Sequence, residues 1–216
     1  MKLNKVLALA LSGVMAVSML AGCSNNSGNG GQNGEEQPPV TNSVAAQVND
    51  KLTDSNKTKI TFSDSADLES NLTDAVTLNG LVNLPRASAV QTTMNDLTGL
   101  NPNDYNSMTV NTTAKEYEIM LVRASRPNVA SIAALNDFMD EVNTWISSMP
   151  YAAVGSARYV DADDLEGANL AEGTVYTQYA YTGDVAMVQA TNYAGTSVQY
   201  YFVVTIAQTA TTAVAA

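Results

Sequence analysis

The chain has 216 residues, a net charge of −11, a single cysteine and no histidine. The missing histidine excludes Ser-His-Asp and Cys-His catalysis, His-bound zinc and the usual proton shuttle near neutral pH. One cysteine closes no intramolecular disulfide, and so acidic a surface repels phosphate backbones, which argues against nucleic acid as a partner.

In chain order, the first segment is built for export. Lys2 and Lys5 form a short positive region, and the following stretch to Leu20 is apolar apart from Ser12, Gly13 and Ser18. Small residues then lead into the cysteine, as Leu20-Ala21-Gly22-Cys23. The apolar stretch is too short for a comfortable spanning helix. The pattern resembles the bacterial lipoprotein signal. That resemblance implies removal of residues 1–22, a diacylglyceryl group on the Cys23 thiol, and a lipid anchor at the extracytoplasmic face of the cell membrane. Removing the 22 residues ahead of Cys23 leaves 194, with 8 basic against 21 acidic side chains, a net charge near −13. Two acyl chains give stable anchoring where one is marginal.

Residues 24–39 are polar and rich in glycine and asparagine, so residues 23–40 are expected to be a flexible tether. For such a coil the end-to-end distance is roughly 20–25 Å. A single domain is expected over residues 41–208. Val44, Val48 and Leu52 recur at helical spacing. Residues 59–62 suit a brief strand. Asp64 or Ser65 can cap a second helix with Leu68, Leu72, Ala75 and Val76 on one stripe, ended by Asn79-Gly80. Pro85 suits the first turn of a third, with Val90, Met94 and Leu97 on its stripe and a stop at Gly99. Residues 101–104 have turn chemistry, and residues 107–111 suit a strand.

Residues 116–124 (EYEIMLVRA) become continuously apolar, as in a central strand. Pro127-Asn128 then opens a helix with Ile132, Leu135, Met139, Val142 and Ile146 on one face and Asn136, Asp137, Asp140 and Glu141 facing water. Lone Trp145 reads as a packing residue. After Pro150 come strands at residues 156–160, 175–182, 185–191 and 198–207. Gly183-Asp184 and residues 193–196 read as the intervening turns, giving an antiparallel meander. Val198, Tyr200, Phe202, Val204 and Ile206 share one side of the last strand. Residues 209–216 read as a disordered tail. The fold expected is α+β: an antiparallel-dominated sheet, an amphipathic helix across one face, and N-terminal helices packed alongside.

Two features invite a functional reading. Eight of the ten tyrosines follow Met149, and aromatic rings on a sheet face can bind glycan or protein. The candidate surface is Tyr176, Tyr179, Tyr181 and Tyr201, with Tyr179 and Tyr181 exposed side by side. The acidic stretch at residues 161–173 places Asp161, Asp163, Asn169 and Glu172 at positions 1, 3, 9 and 12 of a calcium loop. Leu165 and Glu166 then occupy the positions where an oxygen ligand and the turning glycine belong, so a solvated loop is preferred and no metal or cofactor is expected. Catalytic motifs are thin: there is no G-x-S-x-G or P-loop, and Thr112-Thr113-Ala114-Lys115 only imitates S-x-x-K.

The run LTGLNPNDYNSMTVNTTAKEYEIMLVRASRPNVASIAALNDFMDEV is similar to a family of small domains of unknown function on Gram-positive lipoproteins. The acid-led strand at Glu118-Ile119-Met120-Leu121-Val122 and the helix from Ile132 to Ile146 carry that resemblance, which implies surface location and fold without an activity. The leading expectation for function is a non-catalytic binding module with an unidentified protein or glycan partner. The alternatives are a small solute-binding lipoprotein of a transporter and an enzyme using only carboxylate, Ser or Tyr groups.

Overall fold

The computed structural model describes residues 43–80, 83–100 and 116–215. Its axis is a long hairpin, β5 (Val175–Thr191) and β6 (Val198–Val214), paired antiparallel along the full length of both strands. Asn192 closes the turn by accepting the backbone N–H groups of Thr196 and Ser197 at 2.9 and 3.0 Å, and Gly195 supplies the left-handed conformation at φ 68°. β2 (Glu116–Ala124) joins β6 antiparallel, from Glu116↔Thr209 to Ala124↔Tyr201. The other edge of β5 is divided. β3 (Ala152–Val154) pairs antiparallel at Thr177 and Gln178, and β1 (Phe62–Asp64) runs parallel beside Gly183–Val185. β4 (Ala157–Tyr159) hairpins onto β3, so the order is β2-β6-β5-β3-β4 with β1 sharing the β5 edge.

The helices start and stop where local chemistry directs them. Hydroxyls of Ser43, Thr53 and Ser65 accept the first free N–H groups of α1 (Val44–Lys51), α2 (Asp54–Lys59) and α3 (Ala66–Asn79). α4 (Ala87–Thr98) follows Pro85 and ends at Gly99 in the left-handed region. α5 (Ser131–Ser147) carries the strongest apolar stripe, and α6 (Ala162–Gly167) is a single capped turn and a half.

This is an α+β fold in which helices cover both faces of the sheet. Leu135, Phe138, Met139, Val142, Trp145 and Ile146 of α5 are buried with Ile119, Leu121, Phe202, Val204 and Ile206, and Val48 of α1 joins them. On the opposite face Leu68, Leu72, Ala75 and Val76 of α3 and Val90 and Met94 of α4 pack on Met120, Val122, Tyr201 and Val203. The expected N-terminal helices therefore divide, α1 and α2 alongside α5 and α3 and α4 beneath the sheet. A polar staple ties α2 to α5. Fully buried Asn56 donates to the Asn143 carbonyl at 2.9 Å and side-chain oxygen at 3.0 Å, and its own oxygen accepts from Ser147 at 3.2 Å.

Several expectations are corrected here. Gly183-Asp184 is not a turn: β5 runs straight through it, because glycine is what lets Phe62 cross there. A Cβ on Gly183 would lie 2.5 Å from the Phe62 ring. The disordered tail expected at residues 209–216 is corrected over 209–215: β6 continues to Val214, and Ala215 exchanges hydrogen bonds with Gly173 and Thr174 at 3.0 and 2.9 Å. β2 has one strand neighbour among the described residues, and its apolar run reflects cover on both faces rather than a central position. Residues 59–62 mostly close α2, with β1 displaced to Phe62–Asp64. Ile132 and Leu97 are exposed, each at the outer end of its stripe. The turn and strand expected at residues 101–111 lie outside the described residues.

Candidate functional site

The proposed tyrosine surface is core. Tyr179 and Tyr181 do share one side of β5, as alternation requires, but that side is roofed by α5, and the two are 6% and 7% exposed. Tyr181 donates its hydroxyl to the Pro150 carbonyl at 2.6 Å. Tyr201 is fully buried on the other face and donates to the Pro85 carbonyl at 2.8 Å, tying β6 to the start of α4. Burial pushes the hydroxyls of Tyr179, Tyr181 and Tyr201 above their ordinary value, as a desolvated phenol requires. Tyr176 alone of the four is half-exposed. A covered face removes the rings from any partner, so the aromatic binding surface is withdrawn.

The acidic stretch is also not a calcium loop. Asp161 is the N-cap of α6, accepting the Asp164 N–H at 2.8 Å, while Asp164 accepts the Val160 N–H at 3.4 Å. A helix therefore occupies the place where the template needs a curling loop, and Asp163, Asn169 and Glu172 stand exposed. No three acidic, histidine or cysteine side chains among the described residues form a group suited to a metal. Asp161 and Asp164 instead face Lys59. Burial lowers the Lys59 ammonium and these two carboxylates oppose that shift. Its Nζ reaches the carbonyls of Ile146, Ser147 and Met149 at 3.4–3.5 Å, capping the negative end of α5. Cys23 and residues 112–115 lie outside the described residues.

What the fold does assemble is a small cleft where the end of β2 meets the first turns of α5. It has a volume of about 180 Å³ and is floored by Phe138 and Phe202, whose rings stack with centroids 4.7 Å apart and planes 14° apart. Its rim is charged. Arg123 grips Glu141 through two hydrogen bonds, the Nε–Oε2 contact being 2.6 Å, and donates a third to the Val122 carbonyl at 2.9 Å. Arg126 lies 3.7 Å from Asp137, and both are largely exposed. Ser125 forms one wall, its hydroxyl donating to the Arg126 carbonyl at 2.9 Å and accepting the Tyr200 N–H at 3.1 Å. The loop after it is anchored by Asn128, held at φ 60°, whose N–H and side-chain oxygen bind both polar groups of Val198.

These residues were not singled out as a site by their sequence. Asp137 and Asp140 face water as the helical pattern requires, but Glu141 turns to β2. The available signal was Arg123, the one cation in an otherwise apolar strand run, whose charge needs a partner wherever that strand is covered. Chemically the rim offers both signs of charge over an aromatic floor, with no hydroxyl aimed into the cleft by a neighbouring base. The class defined here is an α+β domain with helices on both sheet faces and, among the described residues, a shallow charged cleft. No family model matches the chain, and neither a curated protein nor a solved structure is similar to it.

Proposed function

We propose that this chain is a membrane-anchored extracytoplasmic lipoprotein whose folded domain is a non-catalytic binding module. The anchoring half rests on Leu20-Ala21-Gly22-Cys23 behind its basic and apolar segment, followed by a polar, Gly/Asn-rich stretch at residues 24–39. No helix among the described residues is long and apolar enough to cross a membrane.

The binding half rests on one observation: every charged group at the rim of the cleft is already held by an opposite charge. Solvent-accessible pairs of this kind contribute about 0–1 kcal/mol each to stability, so a ligand can exchange with them at little cost. A carboxylate held by arginine is poorly placed to act as a base or a nucleophile, which weighs against the enzyme reading. The cleft of about 180 Å³ is below the roughly 300–1,000 Å³ common for small-molecule sites. One sheet without two lobes likewise disfavours a transporter's solute receptor. The partner class that fits is a protein segment presenting an apolar side chain beside polar groups of either sign.

The test is site-specific photocrosslinking in intact cells from position 126, with Arg126 replaced by a photoreactive residue. The module reading expects a discrete adduct that is lost when Phe138→Ala opens the floor and retained with Asp96→Asn on the exposed face of α4. Absence of any adduct from the rim would overturn it.

A further inference from the structure

The two ion pairs on the rim of the cleft differ in kind. Arg123 and Glu141 are joined by two hydrogen bonds, and a third ties Arg123 to the Val122 carbonyl at 2.9 Å. A ligand that took either partner would have to break into that set. Arg126 and Asp137 approach only to 3.7 Å, beyond hydrogen-bond length, and neither side chain makes a hydrogen bond among the described residues. They are 82% and 65% exposed, so water and salt screen the attraction that remains. The rim has one fixed pair and one loose pair.

The backbone beneath the loose pair is pinned on both sides. Ser125 donates its N–H to the Tyr200 carbonyl at 2.8 Å, and Asn128 donates to the Val198 carbonyl at 2.7 Å. The Arg126 side chain can therefore swing away from Asp137 without moving the loop. Asp137 is fixed in the second turn of α5, with Asp140 one turn further along the same exposed face. A charge count then decides which sign of ligand fits. Asp137, Asp140 and Glu141 set three carboxylates against the two guanidinium groups of Arg123 and Arg126. A ligand carboxylate on Arg126 makes that four against two and leaves Asp137 unpaired one turn from its like, which is repulsive. A ligand cation on Asp137 makes it three against three. The net charge of −11 acts in the same direction, drawing cations toward the chain.

Building on the binding-module reading above, we propose that the cleft captures a basic protein segment, in which a lysine or arginine beside an apolar residue takes Asp137. Arg126 is the internal placeholder that this side chain displaces. The apolar residue enters the cleft, whose volume of about 180 Å³ admits one side chain, above Phe138 and Phe202. Arg123 and Glu141 stay joined throughout and form the fixed wall. Removing the Arg126 charge should then strengthen the capture of a cation, because it removes the competitor for Asp137. An anion site built on Arg126 requires the opposite response.

Capped peptides serve as probes: acetyl-Gly-Leu-Lys-Gly-amide, its counterparts with Gln or Glu in place of Lys, and acetyl-Gly-Gly-Lys-Gly-amide. Each is titrated at low ionic strength into the full chain carrying Cys23→Ser, and binding is read from the backbone amide resonances of residues 124–126 and 137–141. The Leu-Lys probe is expected to bind about fivefold more tightly than the Leu-Gln probe, the upper range for one exposed ion pair, with the Leu-Glu probe weakest. Asp137→Asn should erase that preference, and Arg126→Gln should tighten the Leu-Lys probe. Both positions are exposed, so neither variant should disturb the fold. Equal binding of the Lys and Gln probes, or a Leu-Lys probe weakened by Arg126→Gln, would overturn the proposal and leave the cleft a peptide site of another sign. Equal shifts from the Leu-Lys and Gly-Lys probes would overturn it as well, since charge alone would then hold the peptide. No shift with any probe would also overturn it, and the crosslink from position 126 decides separately whether the module reading stands.

Discussion

Gln208 lies on the α5 side of β6, is 2% exposed, and bonds neither its amide nitrogen nor its oxygen. A buried polar group without partners costs about 1–3 kcal/mol. Gln208→Met keeps the volume and removes both orphaned atoms, so its urea midpoint should rise; a fall comparable to that of a cavity variant would contradict this. The tyrosines behave in the opposite sense, since Tyr181 and Tyr201 each have an accepting carbonyl. Their hydroxyls are raised by burial above the ordinary value of 10.0, so the folded chain holds these protons longer than the unfolded one. The stability this supplies is complete below about pH 10 and is lost as pH climbs toward the higher folded-state value. Unfolding midpoints measured across that range should drop steeply for the native chain. The drop should be shallower for Tyr201→Phe, which loses its bond to Pro85 but cannot ionise. An equal slope in both would mean the buried phenol does not set the alkaline limit.

At the scale of elements, α5 contributes more buried side chains than any other described helix. Leu135→Ala should cost roughly 2–5 kcal/mol, while Ile132→Ala, at an exposed position, should stay within about 0.5 kcal/mol. Equal effects in a denaturant titration would misplace the helix. Gly183→Ala drives a methyl into the Phe62 ring and should cost about 1–3 kcal/mol. Combining it with Phe62→Leu should recover part of that loss, and strict additivity would show that the two do not touch.

These same elements show what the sequence reveals. The stripe of α5, the cap of α3, the stop at Gly99 and the turn at residues 193–196 were legible because each is set by residues within a few positions. Alternation put Tyr179 and Tyr181 on one side correctly, but period two cannot say whether a face is covered. The helices that cover that side come from residues 44–59 and 131–147, distant in sequence. Gly183 misled for a related reason: local chemistry reads glycine as a turn, whereas here Phe62 on a distant strand requires it. The cleft was hidden too, because the pairing of Arg123 with Glu141 depends on where α5 lands on β2.

For the whole molecule, the proposed lipoprotein reading joins a lipid-modified Cys23 and a polar tether to a domain whose two cores lie on either side of one sheet. On the function proposed above, the anchor holds the charged cleft close to the bilayer. A domain that acts only when tethered must lose its location when the anchor is lost, with its fold unaffected. The most direct measurement is phase partition of membranes from cells expressing the native chain or Cys23→Ser. The native chain should enter the detergent phase in a processed, lipid-bearing form, and Cys23→Ser should remain unprocessed and unlipidated, with its far-UV spectrum unchanged after purification. Normal processing and membrane retention of Cys23→Ser would contradict the account.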